Sequence, residues 1–232
     1  MDDLKVRRWA GAFGLAGFIV FLIALPLYFV GMGPGARLED AGQFSNLVTR
    51  TNTFILIRTS LADPLIMVGF IVFLAGLRHL IRQARQEYEW VGSLVLAVGV
   101  VVGAVELVGD GLQAGAALDT WIKADPTAVR ALNEGSFTLY GAIGLILAAL
   151  LLASAGYATA ATGVLHKWTS RVAYGAAVVN LAAAPSVLGG TDITGFYTAS
   201  GYALSFAQAA MLIWFLVASI SMIVKKEPAR RR

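Results

Sequence analysis

The sequence predicts an all-α, polytopic membrane bundle of six transmembrane helices. Three observations carry that reading. The 232 residues are 58% hydrophobic and only 14% charged, with mean hydropathy +0.73, whereas soluble domains carry about 25% charge. Six apolar stretches reach the roughly 20 residues that a helix needs to cross a bilayer. Lys and Arg fall unevenly between the loops: thirteen against four, with Arg58 inside a helix.

The six segments are 8–31, 54–80, 90–117, 136–160, 169–189 and 197–224, read as one domain over 1–232. The first begins beside a basic cluster and runs too long for a cleaved signal. The second contains Pro64, which frees a carbonyl one turn earlier and bends the rod. Its stretch "RTSLADP" therefore predicts a kink lining a cavity, with Thr59 and Ser60 as nearby hydroxyls. The third, around "SLVLAVGVVVGAVELVGDGLQ", has glycine spacings (Gly99/Gly103 and Gly111/Gly115) that predict close backbone packing. The fifth, "VAYGAAVVNLAAAPSVLGG", is rich in small residues for the same reason.

Orientation follows from the basic residues. Lys5, Arg7, Arg8, Arg78, Arg82, Arg85, Lys167, Arg171, Lys225, Lys226, Arg230, Arg231 and Arg232 flank one side. Arg37, Arg50, Lys123 and Arg130 flank the other. Positive charge marks the cytoplasmic side, so both termini are predicted there. The same distribution explains a pI near 9.5 without any nucleic-acid partner. Trp9, Trp90 and Trp168 on the inner side and Trp121 on the outer suit the interfacial belts.

Two outer loops are predicted, 32–53 and 118–135. The first opens on the breaker run "GMGPGARLED". In the second, Asp125 before Pro126 reads as an N-cap with proline at the first helical position, so a short surface helix is expected, ended by Gly135.

Ionisable residues inside a membrane are rare, and by default they mark function. Four are predicted here: Arg58, Asp63, Glu106 and Asp110. At 100° per residue, Gly99, Gly103, Glu106, Asp110 and Gln113 share one stripe of the third helix. Val101, Val108 and Leu112 lie opposite. Counting about 1.5 Å per residue from the outer helix ends puts Arg58 about 6 Å deep, Asp63, Asp110 and Asn180 about 12–13 Å, Gln208 about 16 Å and Glu106 about 18 Å. These residues form a polar layer in the outer half, above an apolar inner half. Arg58 is long enough to reach Asp63 or Asp110. Three carboxyls against one arginine leave excess negative charge, so at least one carboxyl is expected to carry a proton.

Several chemistries are excluded. Without cysteine there is no disulfide, thiolate nucleophile or thiolate-bound metal. His79 and His166 both lie at the cytoplasmic edge, so a histidine-ligated haem or copper inside the membrane is not expected. No lysine lies within a helix to form a Schiff base, and no phosphate loop or GxSxG elbow appears. "GAFGLAG" at 11–17 reads as helix packing. Neither a metal nor a cofactor is predicted.

The stretch "GAIGLILAALLLASAGYATAATGVLHKWTSRVAYGAAVVN" ends one helix, makes a short basic turn and starts a Gly/Ala-rich helix. With the six-helix layout, it resembles small bacterial multi-pass proteins grouped as domain of unknown function 4386. That family has no agreed activity, so the resemblance implies a bundle in a bacterial plasma (inner) membrane and no residue roles. In size and hydrophobicity the chain is also similar to integral-membrane terpene cyclases, which are thought to protonate isoprenoids with embedded carboxylic acids.

Three functions follow from these readings. In the first, an outward-facing pocket of Arg58, Asp63, Glu106 and Asp110, with Gln113, Asn180 and Gln208, binds or transports a small or lipid-like ligand. Here Arg58 meets an anionic head group, and the protein acts as a homodimer. The second is a membrane enzyme on a lipid or isoprenoid, with Glu106 and Asp110 as acid and base. The third is an accessory subunit of a larger membrane complex, in which the polar layer is structural.

Overall fold

The computed structural model describes residues 3–30, 40–121, 123–190 and 195–225. Among the described residues there are eight α-helices: α1 (Asp3–Val30), α2 (Ala41–Ile57), α3 (Asp63–Ala84), α4 (Glu89–Asp119), α5 (Pro126–Thr138), α6 (Gly144–Thr162), α7 (Lys167–Ala183) and α8 (Tyr202–Val224), and no strand. Six continuous helical rods among the described residues are long and apolar enough to span a membrane, because α2 runs into α3 and α5 into α6. Of the basic residues that set the orientation, Arg37, Lys226, Arg230, Arg231 and Arg232 lie outside the described residues, as do 31–39 of the breaker run.

The spans pack in chain order and close on themselves, α1–α3–α4–α6–α7–α8 and back to α1. Lipid tails are as apolar as leucine, so close van der Waals packing, not water exclusion, holds such a ring together. Small residues allow that approach. A methyl group at Gly69 of α3 would lie 2.7 Å from the Phe13 carbonyl oxygen and 3.1 Å from the Gly17 Cα of α1. A methyl at Gly156 of α6 would lie 3.2 Å from the Ala173 Cβ of α7. The half of the ring nearer the first residues of α1 is filled by large apolar side chains. Phe73 stands edge-on to Trp214 and Phe215, with centroids 5.9 and 5.0 Å apart, over buried Leu74, Leu77, Leu151 and Leu152.

The start of α1, the 163–166 turn and the end of α8 come together on that same face. Arg7 donates to the Val164 carbonyl at 3.1 Å, and Lys225 Nζ donates to the Gly163 and Leu165 carbonyls. A surface cleft of about 470 Å³ lies beside them. Burial, and then the charge of Arg7, lower the Lys225 ammonium below the usual lysine range.

On the opposite face the structure corrects both predicted loops. Residues 41–53 are helical. Asp40 caps α2 by accepting from the Gln43 amide at 3.0 Å, and Phe44 and Val48, one turn apart, are buried against Ala116, Ala117 and Val129. The second loop does begin a helix at Pro126, with Asp125 accepting from the Thr127 amide at 2.9 Å. Gly135 does not end it. Glycine costs a helix about 1 kcal/mol but does not stop one, and the rod continues to Thr162. The result is a three-helix cap of α2, α5 and the end of α4 beyond the bundle, tied by a bond from Asn52 Nδ2 to Thr120 Oγ1 at 3.2 Å. The last span starts at Tyr202, five residues later than expected, after a turn in which Ala203 donates to the Phe196 carbonyl at 2.8 Å.

Candidate functional site: a polar layer at two helix irregularities

Both long rods are interrupted by a single π turn, Arg58–Ala62 in one and Leu139–Ile143 in the other. Pro64 has no amide hydrogen, so the regular ladder cannot pass through it. The Asp63 amide reaches five residues back to the Arg58 carbonyl instead. In the second rod Gly141 leaves helical geometry (φ −77°, ψ −107°). Such turns widen a helix by one residue and re-aim its side chains. Here they aim Arg58 and Tyr140 at α4 from its two sides.

The polar stripe of α4 lies where the sequence places it. Gly99, Gly103, Asp110 and Gln113 are buried, and Val101 and Val108 are exposed to the outside. The glycine prediction holds in part. Gly99 packs on Leu74, and a methyl at Gly103 would meet Met67 Sδ at 3.4 Å. By contrast, Gly111 has no neighbour within 4 Å of an added methyl, and Gly115 has only Leu132, at 3.8 Å.

Arg58 is held on three sides. It donates to Gln113 Oε1, its Nε stands 3.5 Å from Asp63 Oδ2, and its guanidinium carbon lies 5.0 Å from the centre of the Tyr28 ring. Of the two partners expected for it, Asp63 is the one it pairs with directly. Gln113 passes the network onward, donating to Ser136 Oγ at 3.0 Å.

The two aspartates receive donors that the sequence does not announce. Tyr28 of α1 donates to Asp63 Oδ1. Tyr140 donates to Asp110 Oδ1 at 2.7 Å. The Asp63 and Asp110 carboxyls line the same cavity. The layer thus joins two pairs, Tyr28–Asp63 and Asp110–Tyr140, across α1, α3, α4 and the second π turn. Both tyrosines sit near helix ends, where sequence reasoning assigns aromatics to the interface.

Glu106 is different. No hydrogen bond or ion pair ties its carboxyl to the described residues, and its Oε1 lies 3.6 Å from where a Gly144 Cβ would stand. It lines a cavity of about 150 Å³ together with Arg58, Asp63, Asp110, Gln113 and Gln208. The rest of the lining is mainly apolar, including Phe21, Ile66, Met67, Met211 and Leu212. Exposed Ser205 brings the cavity to the protein surface along α8.

Three predicted neighbours stand elsewhere. Asn180 of α7 is 1% exposed and outside the lining. Its Nδ2 donates to the Ala176 and Ala207 carbonyls at 2.8 and 3.0 Å, fastening α7 to α8. Thr59 bonds back to the Ile55 carbonyl at 2.9 Å. Ser60 is exposed on the outside of the bundle. Among the described residues no cluster of three His, Asp or Glu has metal-site geometry.

Comparison with known protein families, with curated proteins and with solved structures finds no match to this chain.

Proposed function

We propose that this membrane protein binds a small or lipid-like ligand in the cavity beside Glu106, as a carrier or receptor of the bacterial plasma membrane. One observation carries the reading. Arg58, Asp63, Asp110 and Gln113 each have a protein partner on another element, while Glu106 faces open space without one. An intramembrane carboxyl costs about 2.5–3.5 kcal/mol at the helix centre on the insertion scale. A structural network offsets that cost through its partners, and Glu106 has none to offset it. The apolar floor of Phe21, Ile66 and Met67 supplies room for a hydrocarbon part. The excess of Lys and Arg at one end of the spans supports a membrane with both termini on the cytoplasmic side.

The paired residues take the structural role in this reading. The acid–base enzyme alternative needs a second free carboxyl, and Asp110 is held by Tyr140, which weighs towards binding. The test is native mass spectrometry of the purified protein and its Glu106→Gln variant. A small molecule retained by the first and lost from an equally well-folded second is expected. Identical spectra with no retained small molecule, together with a co-purifying polypeptide, would replace this reading with the accessory-subunit one.

A further inference from the structure

If the cavity beside Glu106 is a binding site, as proposed above, its charge, lining and volume also define the chemical class of the ligand. We infer that the ligand is a monovalent organic cation, an ammonium-type group on an apolar body about one ring in size, with Glu106 as its counter-ion.

The charge balance gives the sign. The layer holds three carboxyls and one guanidinium. Asp63 is paired with Arg58 and Asp110 accepts from Tyr140, so Glu106 is the carboxyl left for one positive charge, and an anion would add to the excess of carboxyls. Arg58, the group that an anionic head would seek, already holds Asp63, Gln113 and the Tyr28 ring.

The lining gives the class. Phe21, Phe137 and Tyr140 offer aromatic rings, and Met67 and Met211 offer polarisable thioethers. Aromatic faces attract cations, most strongly where water is absent, and thioethers adapt to irregular apolar shapes. Gln208 and Ser205 add acceptors for N–H donors. A hard metal ion requires about six oxygen ligands, and among the described residues no group of three His, Asp or Glu could hold one. The volume gives the size, since an apolar cavity of about 150 Å³ accommodates a benzene-sized body.

The test uses three probes of one shape and different charge: benzylammonium, benzyl alcohol and benzoate. Each is titrated by calorimetry into the full-length protein in neutral detergent. Benzylammonium is expected to bind at least about tenfold more tightly than benzyl alcohol, and benzoate not to bind. Glu106→Gln is expected to reduce benzylammonium to the level of benzyl alcohol. Equal affinity for benzylammonium and benzyl alcohol, or preference for benzoate, overturns the cation while leaving the binding cavity in place. Binding of none of the three overturns the cavity reading as well. The comparison of probes on the unmodified protein decides the matter even if the variant fails to fold.

Discussion

The Tyr140 hydroxyl donates to Asp110 Oδ1 at 2.7 Å, across the gap between the second π turn and the middle of α4. The approach is close enough that a methyl at Gly109, one residue before the aspartate, would lie 2.5 Å from Tyr140 Cε1. Glycine at 109 therefore makes room for the ring that serves Asp110.

Removing that donor leaves a buried oxygen short of a partner, which costs about 1–3 kcal/mol. Tyr140→Phe is expected to lower the melting temperature in detergent by that equivalent. Gly109→Ala is expected to do the same by displacing the ring. The double variant should be barely worse than either alone, since both remove one interaction. Additive losses would show that the two residues do not work together.

Arg58 and Asp63 are predicted to be much more costly to separate than to delete together. Breaking a buried pair by removing one partner costs about 3–5 kcal/mol, because the other charge stays behind. Arg58→Leu and Asp63→Leu should each destabilise on that scale, and Arg58→Leu with Asp63→Leu should recover part of the loss. Denaturation of the three variants in one detergent system checks this.

Glycines should divide by what their missing side chains face. Gly69→Ala pushes a methyl into the α1 backbone, which cannot yield cheaply, and overpacking of this kind costs about 1–3 kcal/mol. Gly111→Ala and Gly175→Ala meet nothing within 4 Å and should be neutral or stabilising by up to about 1 kcal/mol through helix propensity. Thermal melts of the three single variants distinguish them.

Lys225 gives a pH prediction. Burial and Arg7 lower its folded value below that of the unfolded chain. The native state thus binds fewer protons between those two values, so this group's contribution to stability rises with pH across that interval and is least favourable below it. Competitive acylation across pH 7–11 should show the Lys225 amine reaching half-maximal reactivity below the ordinary lysine value of about 10.4. A midpoint at that ordinary value would contradict the buried setting.

The number of spans and the polar stripe were legible because both are matters of period and composition. Hydropathy alone separates six apolar stretches, and a 100° step alone aligns Gly103, Glu106, Asp110 and Gln113. The cap was less legible. Residues 41–53 are polar enough to look like a loop between membrane-length segments, and only the one-turn spacing of Phe44 and Val48 after Asp40 hints at helix there, whereas Asp125 and Pro126 announce α5 but not its continuation past Gly135. Tyr28 and Tyr140 were hidden for a different reason. A tyrosine near a helix end looks interfacial, and nothing local says that a π turn will point it inwards. Asn180 shows the reverse limit. Its depth was estimated well enough to join the layer, but depth does not say which way a side chain faces, and it faces α8.

The π turns also separate two helical phases. Each inserts about one residue into a rod, and one residue is worth 100° of rotation. The face that α2 shows to the cap is therefore set independently of the face that α3 shows to the bundle, although both belong to one 44-residue rod. The same holds for α5 and α6. Deleting a residue within the turn, such as Leu61, exposed on the outside, would leave a regular helix with Phe44 and Val48 still facing Ala116 and Ala117, at the cost of the aim of Arg58. Deleting one between the turn and Val48 would instead rotate the cap face by about 100°.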